Sequence, residues 1–333
     1  MKIFLGVDGG GTKTDFLLID ESGQVLASRR AGSAYYLEIG VEALRTMMLQ
    51  GIRGVLADAS VSPNDVSFAC IGLPAYGEDS ALLPRLDAIG EGLLPTPKYR
   101  CVNDMVCGWA AALAGHDGIN IVAGTGSIGY GEFDGRSARA GGWGELFSDE
   151  GSAYWVAREG LTLFSRMSDG RVDQGPLYEF MRQHFKVRAD LDVCASVYGP
   201  PPMTRSELAA LAPMVSRAAR AGDRQAQCII EMAATELAAL VHAVRDQLGA
   251  PQQLPLPVSY SGGMFHQDNG LTQKLESILG NGERRYNFAA PRLAPRAGAA
   301  LYAAKLSGSP LTPAAVAHLT RTHGAAPSAE ETD

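Results

Sequence analysis

The chain has 333 residues, 46% hydrophobic and 20% charged, an ordinary globular composition that at roughly 100 to 200 residues per domain predicts two domains. Lys+Arg 29 against Asp+Glu 36 gives a net charge of −7 without basic runs, which excludes a nucleic-acid footprint and an anionic membrane surface. Five cysteines (Cys70, Cys101, Cys107, Cys194, Cys228) with no C-x-x-C argue against a disulfide framework or zinc clip and fit a reducing cytosol, and neither a signal peptide nor a membrane-length apolar run is read.

In chain order, the spacing predicts a strand over 3–8, a turn at Gly9-Gly10-Gly11-Thr12, strands over 15–20 and 24–28, and a helix over 41–58 with Val41, Leu44, Met48, Ile52 and Val55 on one face. Strands follow over 66–72 and 98–102, the second ending just before Asn103-Asp104. A strand over 119–123, the turn Gly124-Thr125-Gly126-Ser127 and strands over 128–133 and 136–140 then repeat the opening plan. Such a repeat is the mark of a duplicated α/β unit and predicts two similar halves facing each other. Helices are expected over 150–167, 175–186, 205–220 and 225–248, with Pro213 kinking or splitting the third. A strand over 257–261 runs into Gly262-Gly263, and a last helix covers 295–307. The expected division is an N-terminal domain, 1–116, a C-terminal domain, 117–307, with helical insertions and a last helix packing back on the first, and a weakly ordered tail, 308–333.

Glycine, at 39 residues, is in excess, and much of it falls where chemistry is expected. Gly9, Gly10 and Gly11 after an apolar strand let backbone approach an anion, Thr12 adds a hydroxyl donor, and Lys13 follows. Asp8 before them fits a phosphate-bound Mg²⁺ held through water. The segment is neither G-x-G-x-x-G nor a P-loop, and strand rather than helix follows it. Gly124, Thr125 and Gly126 repeat the device, so a phosphate gripped by two such hairpins is the expectation. Gly262 and Gly263 form a third turn, suited either to a nucleotide's sugar or α-phosphate or to a tight strand-to-helix connection. Asp104, ahead of a helix of small residues, reads either as its N-cap or as a base taking the proton from a hydroxyl that attacks a γ-phosphoryl group. The run from Gly141 to Trp155 joins the second unit to a helix; its Gly-Gly-Trp-Gly permits a loop to fold over a ligand, and Asp149 either accepts from sugar hydroxyls or caps the helix. Glu145 and Glu150 read as solvated or capping, and the six His lack metal-ligand spacing, His242 being a plain helix residue.

Together D-G-G-G-T-K-T, the N-D before a small-residue helix, G-T-G-S and G-G-W-G-x-x-x-S-D-E-G-S-A-Y-W resemble the eukaryotic-type N-acetylglucosamine kinases, within the superfamily of acetate and sugar kinases, heat-shock chaperone ATPases and actin. The resemblance spans about residues 3–305. It implies an α/β fold of two ribonuclease-H-like, actin- or hexokinase-like domains with an ATP and sugar cleft between them. It implies ATP and Mg²⁺ as cofactors, an amino-sugar substrate phosphorylated on its 6-hydroxyl, a cytoplasmic setting and a homodimer. By position, Asp104 resembles the catalytic base, Thr12 and Thr125 the phosphate contacts, Gly263 part of the adenosine site, and Asp8 the magnesium-linked acid. Ser127, Gly142, Trp143, Gly144 and Asp149 resemble the sugar-binding shell. Two departures bear on the substrate: the family's Asn contacts are absent in Gly32–Tyr36, near Ala34, and at Ile128. Losing the partner of a buried sugar group costs on the order of 1–3 kcal/mol, so glucosamine or another hexosamine such as N-acetylmuramic acid is an alternative. A rival of another class, an ATP-driven activator of a partner enzyme, needs cluster-ligating cysteines that these five do not group to provide.

Overall fold

The computed structural model describes residues 1–95 and 97–324. Its contacts divide into two compact units: Met1–Asp117 together with the chain from Ala290 onward, and Gly118–Ala289.

The first unit opens with β1 (Ile3–Gly9), β2 (Thr14–Asp20) and β3 (Val25–Ala31), an antiparallel meander. β1 and β2 are buried along almost their whole length, which is why they read as near-continuous apolar runs rather than alternating ones. A short α1 (Tyr36–Ile39) and then α2 (Val41–Asp58) lead to β4 (Val66–Leu73), parallel to β1. α2 places Leu44, Met48, Ile52 and Val55 in a core shared with Phe16 and Leu18. After α3 (Leu83–Asp87), β5 (Tyr99–Asn103) runs parallel to β4, and α4 (Asp104–Ala112) follows at once. The sheet order is β3-β2-β1-β4-β5.

The second unit repeats that order. Its meander is β6 (Gly118–Ala123), β7 (Ser127–Phe133) and β8 (Arg136–Gly141). Six helices intervene: α5 (Ala153–Ser168), α6 (Pro176–Phe185), α7 (Asp192–Tyr198), α8 (Arg205–Ala209), α9 (Ala212–Arg220) and α10 (Arg224–Leu248). Then β9 (Leu256–Ser261) pairs parallel with β6, and after α11 (Leu271–Gly280) β10 (Tyr286–Phe288) pairs parallel with β9. The order is β10-β9-β6-β7-β8, so each unit is a three-strand meander extended by two parallel strands. Pro213 splits the expected 205–220 helix into α8 and α9, sitting in the first turn of the second, where its missing N–H costs nothing. α5 begins three residues later than expected because Asp149 and Gly151 have positive φ and Ser152 caps the helix through the Trp155 amide. By length and composition α10 would pass for a membrane span, where no membrane-length apolar run was expected. Its Ile230, Leu237, Val241 and Leu248 belong to the unit's core.

α12 (Pro295–Leu306) and α13 (Pro313–His323) lie in the first unit. A Cβ on Gly6 of β1 would sit 2.2 Å from the Ala300 amide nitrogen, so the absent side chain and the Ala/Gly composition of α12 let helix and strand meet backbone to backbone. The segment from 308, expected to be weakly ordered, contains α13: the Thr312 hydroxyl accepts from the Ala315 amide, Pro313 falls in the first turn, and Val316 and Leu319 are buried. The rest of the expected tail, 325–333, lies outside the described residues.

Candidate active site

In the first unit the β1–β2 hairpin carries Gly9 to Lys13. The Gly10 amide donates to the Lys13 carbonyl and the Gly10 carbonyl accepts from the Ala34 amide. The Gly11 and Thr12 amides have no partner among the described residues, and both residues are exposed. The three glycines are not equivalent. A Cβ on Gly9 would meet the Gly72 carbonyl at 2.5 Å and Ala34 Cβ at 2.9 Å, and one on Gly10 the Lys13 carbonyl at 2.9 Å, whereas Gly11 has nothing within 4 Å. The fold itself accounts for Gly9 and Gly10, and open space at Gly11 leaves room for a ligand. Gly32–Ala34 abuts this hairpin, with the Thr14 hydroxyl donating to the Gly32 carbonyl at 2.8 Å.

Asp8, near the end of β1, faces Gly72 of β4 and Asp15 of β2 in register. Burial first, then the Asp104 and Asp15 carboxylates, push the Asp8 carboxyl up to about 7, against the pull of Lys13 and Arg296. Asp15 is itself held by Arg30 at 2.7 Å. Asp104 is the first residue of α4, and the capping role that competed for it belongs to its neighbour: the Asn103 side chain accepts from the Met105 amide at 3.1 Å. The strand–helix junction thus sets Asp104 within electrostatic reach of Asp8 without using it as the cap. Arg296, at the start of α12, joins this group although nothing in its local sequence marks it.

In the second unit, the hairpin between β6 and β7 turns its carbonyls toward α5. Gly124 O accepts from the Ala153 amide at 2.8 Å and Thr125 O from the Tyr154 amide at 3.4 Å. The Thr125 and Gly126 amides have no partner among the described residues. The hairpin therefore fastens the start of α5 with its acceptors and keeps donors available, as an anion site requires. Ser127 donates its amide to Asp149 Oδ1 at 3.3 Å and its hydroxyl to the Glu150 carbonyl at 2.7 Å. Asp149 is 2% exposed and also pairs with Arg205, so it is a buried charged group rather than the helix cap, which is Ser152. Glu145, expected to be solvated or capping, meets Arg205 Nε at 3.3 Å. The loop from Gly141 runs through positive φ at Gly141, Gly142 and Gly144, which only glycine adopts freely. It leaves Trp143, Leu146 and Phe147 largely exposed. Gly142 lies against Ile128, whose Cδ1 would be 2.7 Å from an added Cβ. The third turn belongs to this group too: Gly262, at φ 104°, would place a Cβ 2.5 Å from the Ala123 carbonyl carbon, while Gly263 has open space. The structure thus brings together Gly124 to Ser127, Gly142, Asp149 and Gly262 in one unit, and Asp8, Gly9 to Lys13 and Asp104 in the other.

The cysteines, far apart in sequence, are partly gathered by the fold. Cys70, Cys101 and Cys107 are all buried in the first unit, with the Cys107 thiol donating to the Val7 carbonyl at 3.8 Å. The neighbouring Cys70 thiol and burial push the Cys107 thiol well up, and burial does the same to Cys101, so these two are packing thiols rather than reactive thiolates. Cys194 and Cys228 are exposed on α7 and α10.

The chain is 26% identical over 311 residues to the N-acetyl-D-glucosamine kinase of Dictyostelium discoideum, covering 91% of this chain and 98% of that protein. It is 29% identical over 286 residues to the N-acetylmuramic acid/N-acetylglucosamine kinase of Clostridium acetobutylicum, covering 84% of this chain and 90% of that one. Among solved structures, a candidate N-acetylglucosamine kinase from Chromobacterium violaceum aligns with a TM-score of 0.64 at 25% identity, covering 91% of this chain and 99% of that one. The sequence model of one ATPase family matches residues 5–303. With nearly the whole described chain inside that match, the protein belongs to the BadF/BadG/BcrA/BcrD ATPase family.

Proposed function

We propose that this chain is an ATP-dependent hexosamine kinase that transfers the γ-phosphoryl group to the 6-hydroxyl of an amino sugar, with N-acetylglucosamine as preferred acceptor. The observation that carries this reading is the pairing of Asp8 and Asp104 carboxylates at strand ends of the first unit, beside a glycine hairpin with two unengaged amides. Asp104 acts as the base on the attacking hydroxyl, a role worth about 10²- to 10⁴-fold in rate. Gly9 to Lys13 and Gly124 to Gly126 hold phosphate oxygens, and Gly262-Gly263 lies along the adenosine. Ser127, Gly142, Trp143, Gly144 and Asp149 form the sugar pocket, with Asp149 accepting from its hydroxyls. The similarity to two amino-sugar kinases over most of their length supports this reading.

The donor set fits Mg²⁺ that arrives with the nucleotide. Among the described residues no group of three or more His, Cys, Asp or Glu side chains could cage a metal alone, and Mg²⁺ ordinarily binds through one or two carboxylates, water and substrate phosphates. Asp8 would hold it through water, and the ion would supply neutralising charge to the phosphates. The same reading carries a homodimer in the cytosol.

A second reading, glucosamine or N-acetylmuramic acid as the acceptor, is favoured by two apolar contacts: Ala34 against Gly9, and Ile128 against Gly142, where the resembled kinases place Asn. Sugar-dependent ADP release across N-acetylglucosamine, glucosamine, N-acetylmuramic acid, mannosamine derivatives and glucose decides between them. The expected result is the highest kcat/KM with N-acetylglucosamine. ATP hydrolysis indifferent to every amino sugar would overturn the kinase reading.

A further inference from the structure

Arg205 is marked by no sequence motif, yet one carboxylate of the proposed sugar pocket, a second acid of the same loop and the proposed phosphate hairpin meet on its side chain. It is the first residue of α8, whose start is fixed by a reciprocal cap: the Thr204 hydroxyl accepts from the Glu207 amide, and the Glu207 carboxylate accepts from the Thr204 amide at 2.7 Å. From there the guanidinium reaches Asp149 Oδ2, while its Nε meets Glu145 Oε2 at 3.3 Å. It also lies beside the phosphate hairpin, since a Cβ on Gly126 would stand 2.5 Å from Arg205 Nη2 and 2.9 Å from Asp149 Oδ2. Glycine at 126 is what lets this ion pair close against the hairpin.

Asp149 depends on that partner. It is buried at a positive φ of 63°, a cost that local structure must offset. An ionised carboxylate offers about four lone-pair positions. The Ser127 amide and Arg205 occupy one each, leaving acceptor capacity for sugar hydroxyls. Burial pushes the Asp149 carboxyl up, Arg205 leads the groups that pull it down, and the Ser127 amide helps. The charged groups facing it are Arg205 from α8 and Glu145 from its own loop, and Glu145 pushes it up.

We propose that Arg205 is a positioning residue for the acceptor sugar: it holds the Asp149 carboxylate aimed at sugar hydroxyls and, through Glu145, ties it to the loop bearing Trp143. This rests on the kinase reading above. A charge-assisted contact of this kind leaves its mark chiefly on sugar affinity, with a smaller effect on ATP through the neighbouring hairpin. The test uses full-length Arg205→Gln and Arg205→Lys, with KM for N-acetylglucosamine and for ATP, kcat, and the pH dependence of kcat/KM for the sugar. Arg205→Gln should raise the sugar KM by about 10- to 100-fold and the ATP KM by a much smaller factor. Its acidic limb should move to higher pH, because Asp149 without Arg205 keeps its proton longer. Arg205→Lys, which keeps the charge but loses the planar fork, should retain the parent's acidic limb.

A Gln variant matching the parent in sugar KM and acidic limb overturns the proposal, as does a Lys variant whose limb moves as far as that of Gln. A parent that turns over no hexosamine removes the kinase reading and this inference with it. A parent that does so, with an indifferent Arg205→Gln, removes only the inference.

Discussion

Asp8→Asn should make the ligand-free protein more stable at neutral pH while disabling it. The native Asp8 carboxyl is pushed up from 3.8 to about 7 by burial and by the Asp104 and Asp15 carboxylates, whereas in the unfolded chain it ionises near 4. Between those values the native state binds the proton that the unfolded state has released, so this group lowers stability as pH rises from about 4 to about 7. Above that the loss is complete and constant. At about 1.4 kcal/mol per tenfold change in proton affinity, the ceiling is about 4 kcal/mol, and water reaching a half-buried site reduces it. Asn mimics the protonated carboxyl and has no such dependence. Thermal unfolding in EDTA from pH 4 to 8 should give near-equal midpoints at pH 4 and a variant ahead by several °C at pH 8, at about 2–4 °C per kcal/mol for a unit of this size. MgATP should raise the parent's midpoint more than the variant's. Parallel curves for parent and variant across this range would refute the crowding of carboxylates at the end of β1.

Asp104→Asn should lower kcat by about 10²- to 10⁴-fold with sugar and ATP affinities retained; near-native turnover would remove the base assignment, since Asn103 already supplies the cap. Gly6→Ala places a methyl 2.2 Å from the Ala300 amide nitrogen and should cost at least about 1–3 kcal/mol in urea denaturation, an unchanged midpoint contradicting the contact of α12 with β1. Ile128→Asn, beside Gly142, should raise the kcat/KM ratio of N-acetylglucosamine to glucosamine by about tenfold by supplying an amide partner. A ratio that does not change would take Ile128 out of the sugar pocket.

Much of this was legible because the informative residues are local. Strand–glycine–strand, twice, sets both hairpins and both meanders, and the 3,4-spacing of α2 gives its ends at Val41 and Asp58. Pro213 announced a break that the structure places between α8 and α9. What escaped is either short or long-range. β10 has three residues, too few for a periodicity. α13 falls in the stretch expected to be weakly ordered, although Pro313 after Thr312 is a helix start. Asp104 reads as a candidate cap for its helix, and only the structure shows that Asn103 takes that role. Arg205 and Arg296 reach acids tens to hundreds of residues away in the chain, so no local pattern assigns them. Asp149 shows a further limit, since its place before a helix suggests a cap while the structure buries it in an ion pair with Arg205.

The central claim is phosphoryl transfer to a hexosamine hydroxyl, and phosphorus and proton NMR of a reaction containing ATP, Mg²⁺ and N-acetylglucosamine tests it most directly. The expected spectrum shows one phosphomonoester on carbon 6 of the sugar for each ADP formed, and no ester when Asn replaces Asp104. Inorganic phosphate as the sole new phosphorus species, formed equally with and without sugar, would contradict the account.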